Sequence, residues 1–441
     1  MERVFFAVAL TLMPLLPVAA NQTDDFRSVA RQKFDEQRFG IFIHWGLYSY
    51  YAQGEWYLQA KRMREDDYAQ MMNAFYPSKF DARRWAKCFR NAGARYVTFT
   101  SRHHDGFSMW PSKVANGYSI AETPFQRDVV GELSEACKAE GLQFNIYYSL
   151  MDWHHPNYPV GREWRARKTL TNRNENYQLY KKFMMEQLTE LLNAYRPGVI
   201  WFDGEWDHDA SFSHIAFPID WEFEDIYSLV HSKGALVANN HHHCIREDED
   251  IQIFERYLPG EKNTTGLAGA KSVARKRPLE QCDVLQAGIW GFKIEEAAYR
   301  TGEEVVAQIA RAAGKGINLI MNIGPRADGS FPKEIERSLS ETGKWFERNG
   351  ESIYGTVSGG FTTGSDIVST RKGDCLYLHF VNPKATTFAF KLGEKVEGGV
   401  CLSGGVANVE QLKSGMVLVT LGREDGNVMD CVVKLTLEGT R

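Results

Sequence analysis

From about residue 28 to about residue 345, short apolar runs alternate with amphipathic stretches. The segments 39–43, 96–100, 143–148, 198–202, 235–238 and 317–321 are rich in apolar, β-branched and aromatic residues and read as strands. The segments 82–92, 129–140, 177–194, 223–231 and 303–313 between them carry apolar residues at helical spacing. Strands alternating with helices imply a parallel sheet. So many repeats within roughly 300 residues predict a closed (β/α)8-like TIM barrel, an α/β fold, rather than an open doubly wound sheet. No Gly-x-Gly-x-x-Gly follows any of these strands, which weighs against a dinucleotide fold.

After about residue 350 the helical periodicity fades. Runs at 375–380, 416–421 and 431–437 are separated by turns containing Gly and Asp, the pattern of a small antiparallel β-sandwich. Asn349-Gly350 marks the change. The expected organisation is a leader at 1–20, a barrel domain at 21–348 and a sandwich domain at 349–441. The leader reads as an export signal: Arg3 begins it, Phe5 to Leu16 is apolar, and Val18 and Ala20 are small residues before a cut. The apolar run is too short to span a bilayer, and no cysteine follows the cut, so no membrane anchor is expected.

The chain has 441 residues, a net charge of −4 and no basic stripe, so no nucleic-acid partner is expected. Aromatic residues make up 13%, with 11 Trp, which fits a carbohydrate protein as well as a large core. Seven cysteines at wide spacings match no zinc or disulfide scaffold, and sequence assigns no bridge.

Polar and aromatic clusters collect where the strands end: His44-Trp45, His103-His104, Tyr147-Tyr148, Asp203 within WFDGEW, and Asn239 to His243. Barrels of this type place their active sites at the C-terminal strand ends, so these clusters are expected to share one cup. Asp203 among tryptophans suits chemistry on a sugar ring, where indoles stack and a carboxylate meets the positive charge at an anomeric carbon.

A metal site is the first rival reading. On extended chain His103 and His104 would point to opposite sides, there is no HExxH, and the row Glu247 to Asp250 reads as a solvated loop. Nucleophilic hydrolysis by Ser or Cys is the second. There is no GxSxG, and Cys244 beside the histidines has no supporting motif.

FGIFIHWG, GEWYLQA, RHHDGF, YYS, WFDGEW and NLIMNIGPRADG, in this order, resemble the α-L-fucosidases of glycoside hydrolase family 29. The resemblance covers about residues 30 to 345. It implies a barrel-like catalytic domain and retaining hydrolysis of terminal α-L-fucose, with no metal or other cofactor. The substrate would be a fucosylated glycan. Asp203 matches the family nucleophile, and His44, Glu55, Trp56, His103, His104, Tyr147 and Trp201 match fucose-pocket positions. Two residues compete for the acid/base role. Glu255 opens ERYLPG, like the family's loop with Glu shortly before Pro-Gly, and is preferred. Glu280 lies in PLEQC, like a Trp-Glu-x-Cys segment with Leu279 for Trp. Several members carry Arg after Asn-Asp past the fifth strand. Here His241 stands there, so a neutral contact or help from Arg246 is expected.

Two alternatives stay open: a retaining hydrolase for another sugar, such as a galactoside, and a non-catalytic fucose-binding lectin on the same barrel. Linkage, aglycone and oligomeric state are not legible. Export would lead to the periplasm or the medium, or to a lysosome in a eukaryote, where Asn263-Thr264-Thr265 is a glycosylation sequon.

Overall fold

A computed structural model describes residues 19–159, 173–208, 219–240, 246–261, 277–295, 298–363, 367–381, 386–422 and 430–439. The expected leader almost to its end, His241 to Cys244 and the sequon at Asn263 lie outside these residues.

Eight parallel strands close a barrel: β1 (Phe39–Ile43), β2 (Tyr96–Arg102), β3 (Gln143–Ser149), β4 (Val199–Asp203), β5 (Leu236–Asn239), β6 (Ile251–Glu255), β7 (Leu279–Val284) and β8 (Asn318–Ile323). The ring is completed by β8 against β1, with Phe39 opposite Leu319 and Ile43 opposite Ile323. Both faces of each strand are covered, which is why these segments read as near-continuous apolar runs. Ile41, Ile146, Ile200, Phe202 and Leu319 face the surrounding helices. Phe42, Tyr147, Val199, Trp201, Ala238 and Ile320 fill the interior. The helices start where their caps dictate. Asp81 accepts from the Arg84 amide at 3.0 Å to open Ala82–Asn91, and Thr301 with Glu304 forms a capping box for Gly302–Gly314.

The strands β6 and β7 are not among the segments the apolar pattern predicts. In β7 the polar residues Glu280, Gln281 and Asp283 are buried. Glu280 accepts from the Tyr96 hydroxyl at 2.7 Å and the Trp201 indole at 2.9 Å, inside the barrel. Asp283, on the outer face, accepts from Arg300 at 3.0 Å and Gln308 at 2.6 Å. Paired polar groups replace the hydrophobic signal there.

In the row Glu247 to Asp250 only the first half is solvated, with Glu247 exposed. Glu249 and Asp250 are fully buried. Asp250 accepts from Arg27, Arg31, His231 and the Val237 amide, at 2.8 to 3.0 Å. Glu249 accepts from the Tyr227 hydroxyl at 2.8 Å. Arg27 and Arg31 belong to the helix Ala19–Gln37, so Asp250 ties that helix across the barrel. A carboxylate this buried needs several donors, and they come from distant sequence.

After the helix Lys333–Asn349 come eight antiparallel strands in two sheets, from Val357–Thr363 to Cys431–Leu437. Leu378, Phe380, Phe390, Val417, Val419 and Leu435 pack between the sheets. Trp345 of the preceding helix donates to the Asp430 carbonyl at 3.0 Å and joins the two parts. The sulfurs of Cys401 and Cys431 lie 3.4 Å apart on neighbouring strands.

Candidate active site

Asp203 is the last residue of β4. Alternation with Val199 and Trp201 turns its side chain inward. The chain then bends at Gly204, whose φ is +87°. A Cβ at that position would lie 2.8 Å from Met151 Cβ, so only glycine fits without displacement. Donors from three of the described side chains reach the carboxylate. The Tyr147 hydroxyl meets Oδ2 at 2.8 Å, and Trp206 Nε1 and Asn240 Nδ2 each meet Oδ1 at 3.3 Å. His104 Nε2 stands 3.6 Å from Oδ2. Donors of this kind bind an ionised carboxylate best. Alternation also separates the two tyrosines. Tyr147 points inward, whereas Tyr148 donates outward to Gln187 at 2.9 Å.

Glu255 ends β6 and also faces inward. Its Oε2 accepts from Asn240 Nδ2 at 2.9 Å. Burial pushes its pKa above the ordinary carboxyl value, and the bond from Asn240 and the Arg256 guanidinium pull the other way. One amide nitrogen therefore touches both carboxylates, at 3.3 and 2.9 Å. Their nearest oxygens are thus no more than about 6 Å apart, short of the ~6.5–9.5 Å of inverting glycosidases and compatible with the ~5–5.5 Å of retaining ones.

Glu280 does not share this position. It is 1% exposed, two residues below the β7 partner of Glu255, and it does not border the cavity. Burial raises its pKa to about 7.

The cavity holds about 260 Å³ and is bordered by Asp203, Glu255, His44, Glu55, Trp56, His103, His104 and Trp201. Tyr147 is fully buried beneath them, stacked on Trp201 with ring centres 5.6 Å apart. His44 Nδ1 lies 2.7 Å from the Asn322 side-chain oxygen, so that nitrogen carries the hydrogen. Burial lowers its pKa to about 3, which keeps the ring neutral. Burial likewise holds His103 well below the usual histidine range, and among the described residues His103 Nδ1 has no partner. Glu55 accepts from the Gly291 amide at 2.7 Å and the Trp290 amide at 3.2 Å. Trp56 lies parallel to Trp206, with ring centres 5.7 Å apart.

His103 and His104 both border the cavity, against the expectation that they point apart. The strand ends at Arg102, and its pairing with β3 shifts register after Thr100. Alternation therefore no longer applies, and the two rings sit 4.1 Å apart. Arg246 is not a pocket cation. It is exposed, pairs with Asp248 at 3.1 Å and covers Phe223. Arg256 borders the cavity in its place, with Nε 4.0 Å from Glu255 and its guanidinium over Trp290.

Asn240 and Trp206, from the strand-end clusters, and Trp290, Arg256 and Phe42, from outside them, complete the walls. Asn240 was within reach. Asn239 points outward to Tyr227, so its neighbour must face the cup. Trp290 carried no signal, since it lies beyond β7 in a connection.

The α-L-fucosidase family profile matches residues 18–351. Among similar proteins, an α-L-fucosidase of Branchiostoma floridae is 31% identical over 374 residues, covering 78% of this chain and 77% of its own length. The tissue α-L-fucosidase of Homo sapiens is 29% identical over 374 residues, covering 79% and 75%. An α-L-fucosidase isoenzyme 1 from Paenibacillus thiaminolyticus superposes with a TM-score of 0.80 at 28% identity, over 94% of this chain and 100% of that one. A GH29 α-L-fucosidase from Bacteroides thetaiotaomicron, described as a trapped covalent intermediate with 2-fluoro-fucosyl fluoride, gives 0.78 at 26% identity, over 93% and 96%.

Proposed function

Because this chain belongs to the α-L-fucosidase family, we propose that it is a retaining exo-α-L-fucosidase acting on fucosylated glycans. The observation that carries the reading is the pair Asp203 and Glu255, bridged by one amide at the floor of an aromatic-walled cavity.

Asp203 attacks the anomeric carbon while Glu255 gives its proton to the departing glycosidic oxygen. The fucosyl group is then an ester of Asp203, and Glu255 is a carboxylate. Glu255 next takes a proton from water as the water oxygen attacks the same carbon and Asp203 leaves. Burial keeps Glu255 protonated to higher pH than an exposed glutamate, as the first step requires. Neutral His44 and His103 offer both a donor and an acceptor to sugar hydroxyls. Glu55 accepts hydroxyl hydrogens, and its backbone donors fix its direction. Phe42 and the tryptophans suit the C–H faces and the methyl group of a 6-deoxy sugar, which favours fucoside over galactoside. A lectin needs neither carboxylate.

The chain is exported by its first 20 residues, with the apolar run Phe5 to Leu16 as support. Among the described residues no helix is long and apolar enough to cross a membrane.

The test is turnover of an aryl α-L-fucoside beside the matching galactoside and a panel of fucosylated oligosaccharides. Proton NMR should show the α-anomer of fucose formed first. A 2-fluorofucosyl label should be found on Asp203. A label on Glu205, or β-fucose as first product, overturns the assignment.

A further inference from the structure

Among the side chains that border the cavity, Asn240 is shown in contact with both proposed catalytic carboxylates. Its place is well determined. The Asn240 backbone N–H donates to the Phe202 carbonyl at 3.0 Å, next to Asp203. The preceding residue is turned outward, where Asn239 Nδ2 meets the Tyr227 hydroxyl at 2.8 Å. Asn240 itself is buried, and its Nδ2 has two hydrogens, one for each carboxylate.

Resting on the fucosidase reading, we infer that Asn240 is a positioning residue that holds Asp203 and Glu255 at their working separation and receives the negative charge as it passes between them. The two-step reaction keeps one negative charge on the pair. In the free enzyme it sits on Asp203, and in the fucosyl-enzyme it sits on Glu255, because the proton has left with the aglycone oxygen and Asp203 is an ester. Water attack returns it. A donor aimed at both oxygens serves each state without moving, which is the condition for effective electrostatic stabilisation. The contact with Glu255 is the shorter, 2.9 against 3.3 Å, so Asn240 serves the fucosyl-enzyme more than the free enzyme. Its loss should therefore slow water attack more than fucosyl transfer to Asp203.

The other charged or titratable groups around the pair stay in place when Asn240 is changed. Among the described residues they include Tyr147 from β3, His44 past β1, His103 and His104 past β2, Glu55, Arg256 beside Glu255, and Cys282 and Asp283 from β7. The effect of Asn240 on pH dependence is then simple in sign. A donor favours ionised Glu255, so removing it makes Glu255 hold its proton to higher pH. The alkaline limb of kcat/KM, where the acid is lost, moves upward.

The experiment uses Asn240→Ala and the uncharged, similarly sized Asn240→Leu in the full chain, with a fucosylated oligosaccharide for the pH profile and a dinitrophenyl α-L-fucoside for the burst. Both should show an alkaline limb of kcat/KM on the oligosaccharide raised by about one pH unit, for loss of a bond to a charged group. Both should also show a burst of dinitrophenol, with a steady rate lower by about 10- to 100-fold. Asn240→Leu fills the space of the amide if the alanine variant fails to fold. Wild-type limb positions without a burst, at whatever rate, overturn the role of Asn240 and leave the fucosidase reading intact. A wild-type protein inert toward every fucoside overturns both.

Discussion

The Tyr147 hydroxyl donates to Asp203 Oδ2 at 2.8 Å, from a ring that also stacks on Trp201 and lies parallel to His103. The tyrosine thus orients the Asp203 carboxylate while packing as a core residue. Tyr147→Phe keeps the stacking and removes one donor. A hydrogen bond to a charged group contributes about 1.5–3 kcal/mol, so kcat/KM should fall by about 10- to 100-fold. Thermal melting should change little. An unaltered kcat/KM would mean that the hydroxyl does not act on Asp203.

The two glutamates are separated by chemical rescue. Glu255→Ala should cripple cleavage of natural fucosyl linkages far more than cleavage of an activated aryl fucoside, because only a poor leaving group needs the proton. Azide should then enter the vacated space and give an α-fucosyl azide. Glu280→Ala should give no azide product. It leaves the Tyr96 hydroxyl and the Trp201 indole without their buried acceptor, so its melting temperature should fall. Rescue in Glu280→Ala and not in Glu255→Ala would reverse the assignment.

Glu280 also predicts a pH dependence of stability. Burial raises its folded pKa from 4.5 to about 7. The folded state therefore holds this proton more tightly than the unfolded chain does. The stabilisation is complete below pH 4.5 and is lost as pH rises towards and through about 7. Glu280→Gln resembles the protonated acid and lacks this loss. Melting curves from pH 4 to 8 should show the wild type falling relative to the variant across that window. Parallel curves would mean that Glu280 titrates normally.

Gly204 sets the turn beyond the nucleophile. Gly204→Ala meets a φ of +87°, Met151 Cβ at 2.8 Å and the Met151 backbone nitrogen at 3.1 Å. The left-handed region alone costs a side chain roughly 1 kcal/mol. The variant should melt lower and lose activity beyond the loss of stability, because Met151 or Asp203 must shift. Wild-type kinetics with a lower melting temperature would confine the effect to folding.

Much of the barrel was legible because six strands carry apolar side chains on both faces. The interior line from Val199 through Trp201 to Asp203 follows directly from alternation. β7 escaped because Glu280, Gln281 and Asp283 are polar, and their partners Tyr96, Trp201, Arg300 and Gln308 lie elsewhere in the sequence. The same reason hid Glu249 and Asp250. Burial of a carboxylate depends on donors that no local pattern records. At the site, the two carboxylates proposed as catalytic and the histidines that border the cavity were legible from strand ends and motifs. The orientation of His104 was not, since it depends on β2 stopping at Arg102. Arg256 and Trp290 were not either, because they lie past strand ends whose strands were themselves unseen.

The bond between His44 and Asn322 joins residues 278 positions apart. It fixes which nitrogen of His44 carries hydrogen, and β1 acquires its second neighbour only when β8 arrives. At about 5–20 residues per second, a ribosome needs on the order of 15–60 s to pass from one to the other. Throughout that time the first strand has one edge open and the pocket lacks a wall. Such long-range closure makes folding slow and leaves an edge on which other chains can pair. A nascent chain halted short of Asn322 therefore has neither a closed barrel nor a defined His44 tautomer, however much of the motif set it already carries.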